Sequence, residues 1–207
     1  MQNQLLGTTD LEISPIGMGT IQMTRLPWQE SLDVLRGVRD LGINWFDTAQ
    51  GYLDSELRLG KAFECARDKV VLITKSGATE SDKLREHIEA SLKRLRTDYI
   101  DVFFFHGGSA VMSDTFSAPG GLLETASRFV DQGKIRHLGF SAHRPEVALF
   151  ALDFPEFRVA MVPANYINRE YIDGEFMPKA TAGKVAVLAM KPFGGGRILQ
   201  IGPCLRF

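Results

Sequence analysis

Four residues in this 207-residue sequence form a set able to move a proton: Asp47, Tyr52, Lys75 and His106. Asp47 closes the run Gly42-Ile43-Asn44-Trp45-Phe46 and is followed by small turn residues, with Tyr52 in the same loop. Lys75 ends Val70-Val71-Leu72-Ile73-Thr74, and His106 ends the run from Tyr99 after three phenylalanines. A tyrosine of ordinary pKa, about 10, is a poor proton donor at neutral pH; a neighbouring ammonium favours the phenolate and lowers that value. Lys75 supplies such a charge, and Asp47 holds it protonated and oriented, because a buried unpaired ammonium is costly. His106 donates to a carbonyl oxygen and shares its developing charge. Such a set protonates an oxygen while its carbon is attacked. No side chain is an evident nucleophile, so hydride from a bound cofactor fits. Each residue also has a plainer reading: Asp47 as a turn cap, Tyr52 packed at a helix entrance, Lys75 solvated, His106 satisfied in a core. Their convergence on one rim is what argues for chemistry.

That rim requires parallel strands. Apolar runs lie at Pro15–Thr20, Ile43–Asp47, Val70–Thr74, Tyr99–Phe105, Ile135–Ser141, Val159–Val162 and Val185–Met190. Helical patterns separate them: Leu32, Leu35 and Val38 before Gly42; Leu57, Leu59 and Phe63 behind the capping residues Asp54 and Ser55; Leu84, Ile88, Leu92 and Leu95; and Leu122, Ala126, Phe129 and Val130 ending at Gly133. Arg144-Pro145-Glu146 opens another helix, and Gly174 and Pro178 interrupt a last one between Arg169 and Gly183. The alternation predicts one α/β domain over 1–207, a (β/α)8 barrel of the TIM type, with a hairpin near Gly7-Thr8-Thr9-Asp10 closing its bottom. Such barrels typically occupy about 250 residues, so the eighth βα unit and the C-terminal helices are expected to be missing. Strands left with open edges would favour self-association.

Each run hands over to a polar group: Asp47, Lys75, His106, Ser141 with His143, Asn165 and Lys191. Barrel active sites are built at these carboxyl ends, and the loop after the seventh strand commonly takes phosphate. There the chain reads Lys191-Pro192-Phe193-Gly194-Gly195-Gly196-Arg197, whose glycines let backbone N–H groups approach an anion between two cations. Thr20, Ser141, Asn165, Lys191, Gly194, Gly195, Gly196 and Arg197 are the expected cofactor contacts. A net charge of −1 with interspersed signs argues against nucleic acid. No apolar stretch approaches a membrane span and no leader pattern opens the chain, so a soluble, cytoplasmic protein is expected. The two cysteines, Cys65 and Cys204, show no metal or disulfide spacing.

Gly42 to Ala49 through Gly51-Tyr52, then Ser55-Glu56 and Leu59-Gly60-Lys61-Ala62, resembles the signature of the aldo-keto reductases. Ile73-Thr74-Lys75, the strand ending at His106 and Gly133 to Ser141 extend the resemblance along the whole chain. It implies a (β/α)8 barrel, NADP(H) as cofactor, a small-molecule carbonyl substrate, and a tetrad of Asp47, Tyr52, Lys75 and His106 with Tyr52 as general acid. Met190-Lys191-Pro192 with the triple glycine is similar to a bacterial subgroup. Departures are Ala142 after Ser141, Pro163 where many members carry glutamine, and Met190 where an aromatic ring often stacks. The family's adenosine-phosphate segment would lie beyond Phe207, which predicts weak NADPH binding with only slight preference over NADH. Competing readings are an impaired barrel that binds a nucleotide or a partner without turnover, and a lyase forming a Schiff base on Lys75. Selectivity is expected from the loops Ile21–Trp28 and Gly107–Gly120, with Trp28, Met112 and Phe116 either lining an apolar pocket or packing those loops down.

Overall fold

A computed structural model of the chain describes residues 2–107, 110–167 and 169–197, together with Gly202; Cys204 lies outside them, as does part of the Gly107–Gly120 loop. Two short strands, β1 (Gln4–Leu5) and β2 (Glu12–Ile13), form the expected antiparallel hairpin. Seven strands then follow in one sheet whose spatial order is their chain order: β3 (Met18–Gly19), β4 (Trp45–Asp47), β5 (Val71–Ser76), β6 (Ile100–Phe105), β7 (Ile135–Ser141), β8 (Phe157–Pro163) and β9 (Ala186–Met190). Every neighbouring pair is parallel. Helices α1 (Trp28–Asp40), α2 (Ser55–Phe63), α3 (Ser81–Leu95), α4 (Leu122–Asp131), α5 (Pro145–Ala151), α6 (Glu170–Asp173) and α7 (Phe176–Ala182) fill the crossovers. The result is a curled sheet of the TIM-barrel type, and among the described residues β3 and β9 are its outer strands.

The two faces of the sheet carry two apolar clusters because side chains alternate along a strand. Trp45, Val71, Ile73, Val102, Phe104, Val159, Met161, Ala186 and Leu188 point into the curl. Phe46, Leu72, Phe103, Phe105, Phe140, Ala160 and Val162 point outward beneath the helices. Leu84, Ile88, Leu92 and Leu95 all lie buried on one face of α3, as their spacing predicts, and α4 is followed by Gly133 at a φ of +71°. Leu57 is a correction. It stands about 200° around α2 from Leu59 and is exposed, whereas Leu59 and Phe63 are buried. Gly174 does divide its segment into α6 and α7, since a Cβ there would stand 2.5 Å from the Glu170 carbonyl oxygen. Pro178 does not interrupt. It falls in the first turn of α7, where an N–H has no helical partner to lose. No helix among the described residues is long and apolar enough to cross a membrane.

The hairpin closes the lower end of the curl, adding Leu6, Leu11 and Ile13 to the inner cluster. Its Thr8 hydroxyl donates to the Lys184 carbonyl at 3.3 Å, and the Asp10 carboxylate meets Arg136 at 2.8 Å and His137 at 2.7 Å. His137, then Arg136, hold the Asp10 carboxyl down at about 2. A depressed carboxyl contributes stability above its unfolded value near 3.8 and loses it as pH falls toward 2. Asp10 is largely exposed, so Asp10→Asn is expected to cost at most about 1 kcal/mol at neutral pH, shrinking as pH approaches 2. Denaturant melts at both pH values check this; an equal loss at the two would mean that the ion pair is not the tie.

Candidate active site

The polar groups at the carboxyl ends of the strands continue the inward-facing rows. Trp45 is followed two residues on by Asp47, Val71 and Ile73 by Lys75, Val102 and Phe104 by His106. The same parity carries Val159 and Met161 through Pro163 to Asn165. The side chains that line the curl therefore become, one step above it, the walls of a polar mouth.

Lys75 is the centre of that mouth. Its Nζ lies 2.5 Å from Asp47 Oδ1 and 2.7 Å from the Thr48 carbonyl oxygen, and the residue is only 3% exposed. The ammonium also sits 5.3 Å from the centre of the Tyr52 ring. Tyr52 meets His106 edge to face, with ring centres 5.7 Å apart and planes at 80°. The four residues expected to act together are thus brought together.

Their electrostatics differ from expectation at Tyr52. Desolvation, then the Asp47 charge, push its phenol above the ordinary tyrosine value, whereas Lys75 was expected to lower it. Burial is the larger cause, and it outweighs the nearby ammonium, which lies over the ring and donates to Asp47 and Thr48. Burial raises the Asp47 carboxyl, and Lys75 opposes the rise. His106 is pushed down to about 4 by burial first, then by Lys75 and His143, so its imidazole is neutral at pH 7.

The expected cofactor contacts divide into two groups. Ser141 and Asn165 are buried at the rim; the Ser141 hydroxyl accepts the Gly107 N–H at 3.3 Å, and Asn165 donates to the Lys191 carbonyl at 3.4 Å. Lys191 and Arg197 are exposed. Gly194, Gly195 and Gly196 all have positive φ, but the N–H groups of Gly194 and Gly196 donate to the carbonyls of Lys191 and Phe193 at 2.8 and 3.0 Å, closing turns instead of standing free. Thr20 has the outward parity, next to Met18 of the helix-facing cluster, and its hydroxyl faces α2. A cavity of about 640 Å³ runs between β3 and β9 from the hairpin to Asp47, Met190 and Lys191. Of the loop residues, Trp28 and Met112 are partly exposed, whereas Phe116 is core, its ring 4.9 Å from Phe105 and 5.0 Å from Phe154. Cys65 is a free, exposed thiol.

Sequence reasoning missed Arg58. It is 6% exposed in α2, donates to the Leu26 carbonyl and the Ser31 hydroxyl at 3.0 and 2.7 Å, and stacks 5.2 Å from the Trp28 ring centre. It fastens the loop after β3 to the helix that follows Tyr52. No spacing rule marks a lone arginine in a helix for such a task.

The curled parallel sheet is of the TIM-barrel class. The chain belongs to the aldo/keto reductase family, whose sequence profile matches residues 15–200. Its curated relatives include the Uncharacterized oxidoreductase YqkF of Bacillus subtilis, 28% identical over 214 residues, covering 97% of this chain and 67% of that protein. The holo form of aldo-keto reductase AKR11C1 from Bacillus halodurans superposes with a TM-score of 0.85 at 28% identity, over 95% of this chain and 68% of the other. An aldo/keto reductase from Klebsiella pneumoniae in complex with NADP and acetate superposes at 0.82 with 26% identity, over 97% and 72%. This chain spans 59 to 67% of the length of three curated relatives that it matches.

Proposed function

We propose that this chain reduces aldehydes or ketones to alcohols, with NADPH as hydride source and Tyr52 as the general acid. The observation that carries the reading is the buried Lys75–Asp47 pair set beneath the Tyr52 ring, with neutral His106 against its edge. Bound NADPH supplies the hydride that reaches the carbonyl carbon. Ser141 and Asn165 at the rim suit its carboxamide, and the exposed Lys191 and Arg197 suit its phosphates. The NADP in the Klebsiella pneumoniae structure supports that choice. His106, neutral, donates an N–H to the carbonyl oxygen and orients it; Tyr52 then gives that oxygen its proton, and the Lys75 ammonium offsets the charge left on the phenolate. A Schiff base on Lys75 fits less well, because Asp47 and the Thr48 carbonyl hold the nitrogen as a buried ammonium. The edges of β3 and β9, outer strands among the described residues, add self-association to this reading, and sedimentation of a stable monomer would remove it.

Aldehyde-dependent oxidation of NADPH tests the proposal directly. Nucleotide binding without turnover would leave a binding protein; a borohydride-trapped adduct on Lys75 would make it a lyase. The pH dependence is also specified. With His106 held near 4, aldehyde KM is expected to stay flat from pH 8 to about 5, because the imidazole keeps one charge state over that range. Stability follows the same group. The unfolded chain takes up the proton at about 6.5, so stability declines as pH falls from there toward 4. A KM that breaks near 6.5 would show that His106 is not desolvated as described.

A further inference from the structure

Behind the tetrad, on the outward face of β3 and β4, three hydroxyls are sealed together against α2. Thr20, Thr48 and Ser55 are each at most 1% exposed. The Thr48 hydroxyl donates to Ser55 Oγ at 2.8 Å, and the Thr20 hydroxyl donates to the Asp47 carbonyl oxygen at 2.9 Å. Ser55 Oγ lies 2.8 Å from Thr20 Oγ1 and 3.3 Å from the Thr20 carbonyl oxygen, so with the Thr20 hydrogen on Asp47 the Ser55 hydrogen is received by Thr20. Three hydroxyls, three hydrogens and no unsatisfied donor result, which is the condition for a buried polar group to hold one geometry. The groups they hold matter more. Asp47 and Thr48 supply the two oxygens that receive the Lys75 ammonium, one from a side chain and one from the backbone.

We propose that Thr48, Ser55 and Thr20 form a bracket of positioning residues that fixes the Asp47–Thr48 backbone and thereby sets Lys75 against Tyr52. The proposal rests on the reading that Lys75 serves Tyr52 during carbonyl reduction. Ser55, named from sequence as a helix cap, is instead the joint between α2 and the two strands. Loss of the Thr48 hydroxyl frees its backbone to shift by a fraction of an ångström, and the ammonium shifts with it. The barrel does not depend on that bond, but the alignment of proton donor and counter-charge does.

The test compares Thr48→Val, which keeps the shape and removes the hydroxyl, with Thr48→Ser, which keeps the hydroxyl. Thr48→Val is expected to lower kcat about tenfold with aldehyde KM within about twofold, since small misplacements of catalytic groups act on rate; Thr48→Ser is expected to regain most of the loss. A second readout needs no turnover. The Lys75 ammonium protons, held by two buried acceptors, should exchange with water slowly enough to be followed by nitrogen-15 NMR, and about tenfold faster in Thr48→Val. A Thr48→Val chain that melts at a lower temperature but keeps both kcat and slow Lys75 exchange would overturn the bracket. If the unaltered chain turns over no aldehyde, the functional reading fails, while the exchange measurement still judges the bracket alone.

Discussion

Tyr52→Phe is expected to lower turnover by about 10²–10⁴-fold, the range typical for loss of a general acid, while NADPH affinity and melting temperature stay unchanged. The substitution removes one hydroxyl and leaves the ring to make its edge-to-face contact with His106 at 5.7 Å. Its packing role is therefore preserved and its proton is not. Because burial and Asp47 hold the phenol above the ordinary tyrosine value, the hydroxyl stays protonated throughout the neutral range. The loss should accordingly be the same at pH 6 and pH 9. Steady-state kinetics with a small aldehyde decide the matter, and a phenylalanine variant with full activity would end the case for Tyr52 as the donor.

The largest effect on stability is expected from Lys75→Met. Removing one partner of a buried ion pair typically costs about 3–5 kcal/mol, because the other charge is left without compensation. Here the survivor is Asp47, whose side chain is only 14% exposed and whose carboxyl burial already pushes up against the opposing pull of Lys75. Without the ammonium that opposition vanishes, and the carboxyl rises further. A folded carboxyl raised above its unfolded value binds a proton the unfolded chain does not hold, so stability increases as pH falls through the folded value. The Lys75→Met deficit should therefore be larger at pH 8 than at pH 5 in denaturant melts, and turnover should fall with that of Tyr52→Phe. Equal deficits at both pH values would mean that Asp47 remains charged without its partner.

How much of this was legible beforehand depended on period and parity. Local periodicity carried the helices: Leu84, Ile88, Leu92 and Leu95 need nothing beyond 3.6 residues per turn to share a face, and all four are buried. Period two carried three members of the tetrad. An apolar strand that lines the curl and ends on a charged residue in the same row must place that residue at the mouth, so Asp47, Lys75 and His106 were determined by residue type and position alone. Leu57 shows the helical period misapplied, a half-turn off its helix face, and Thr20 stands on the helix-facing row of its strand.

Tertiary structure decided what depends on groups far apart in the chain. Thr20, Thr48 and Ser55 are an ordinary strand end, a turn residue and a helix cap until β3, β4 and α2 bring the first two hydroxyls each to 2.8 Å from that of Ser55. Arg58 is one charge in a helix until the loop after β3 folds onto it. The direction of the Tyr52 shift turned on its burial and on the Asp47 charge, and two of the glycine N–H groups proved to be used inside their own turns. Sequence by itself determined which residue types stand on which row, because a strand and a helix impose their periods locally. Where a hydrogen points and how much water a charge retains are set only when distant segments pack, and those two quantities decide the chemistry of the site.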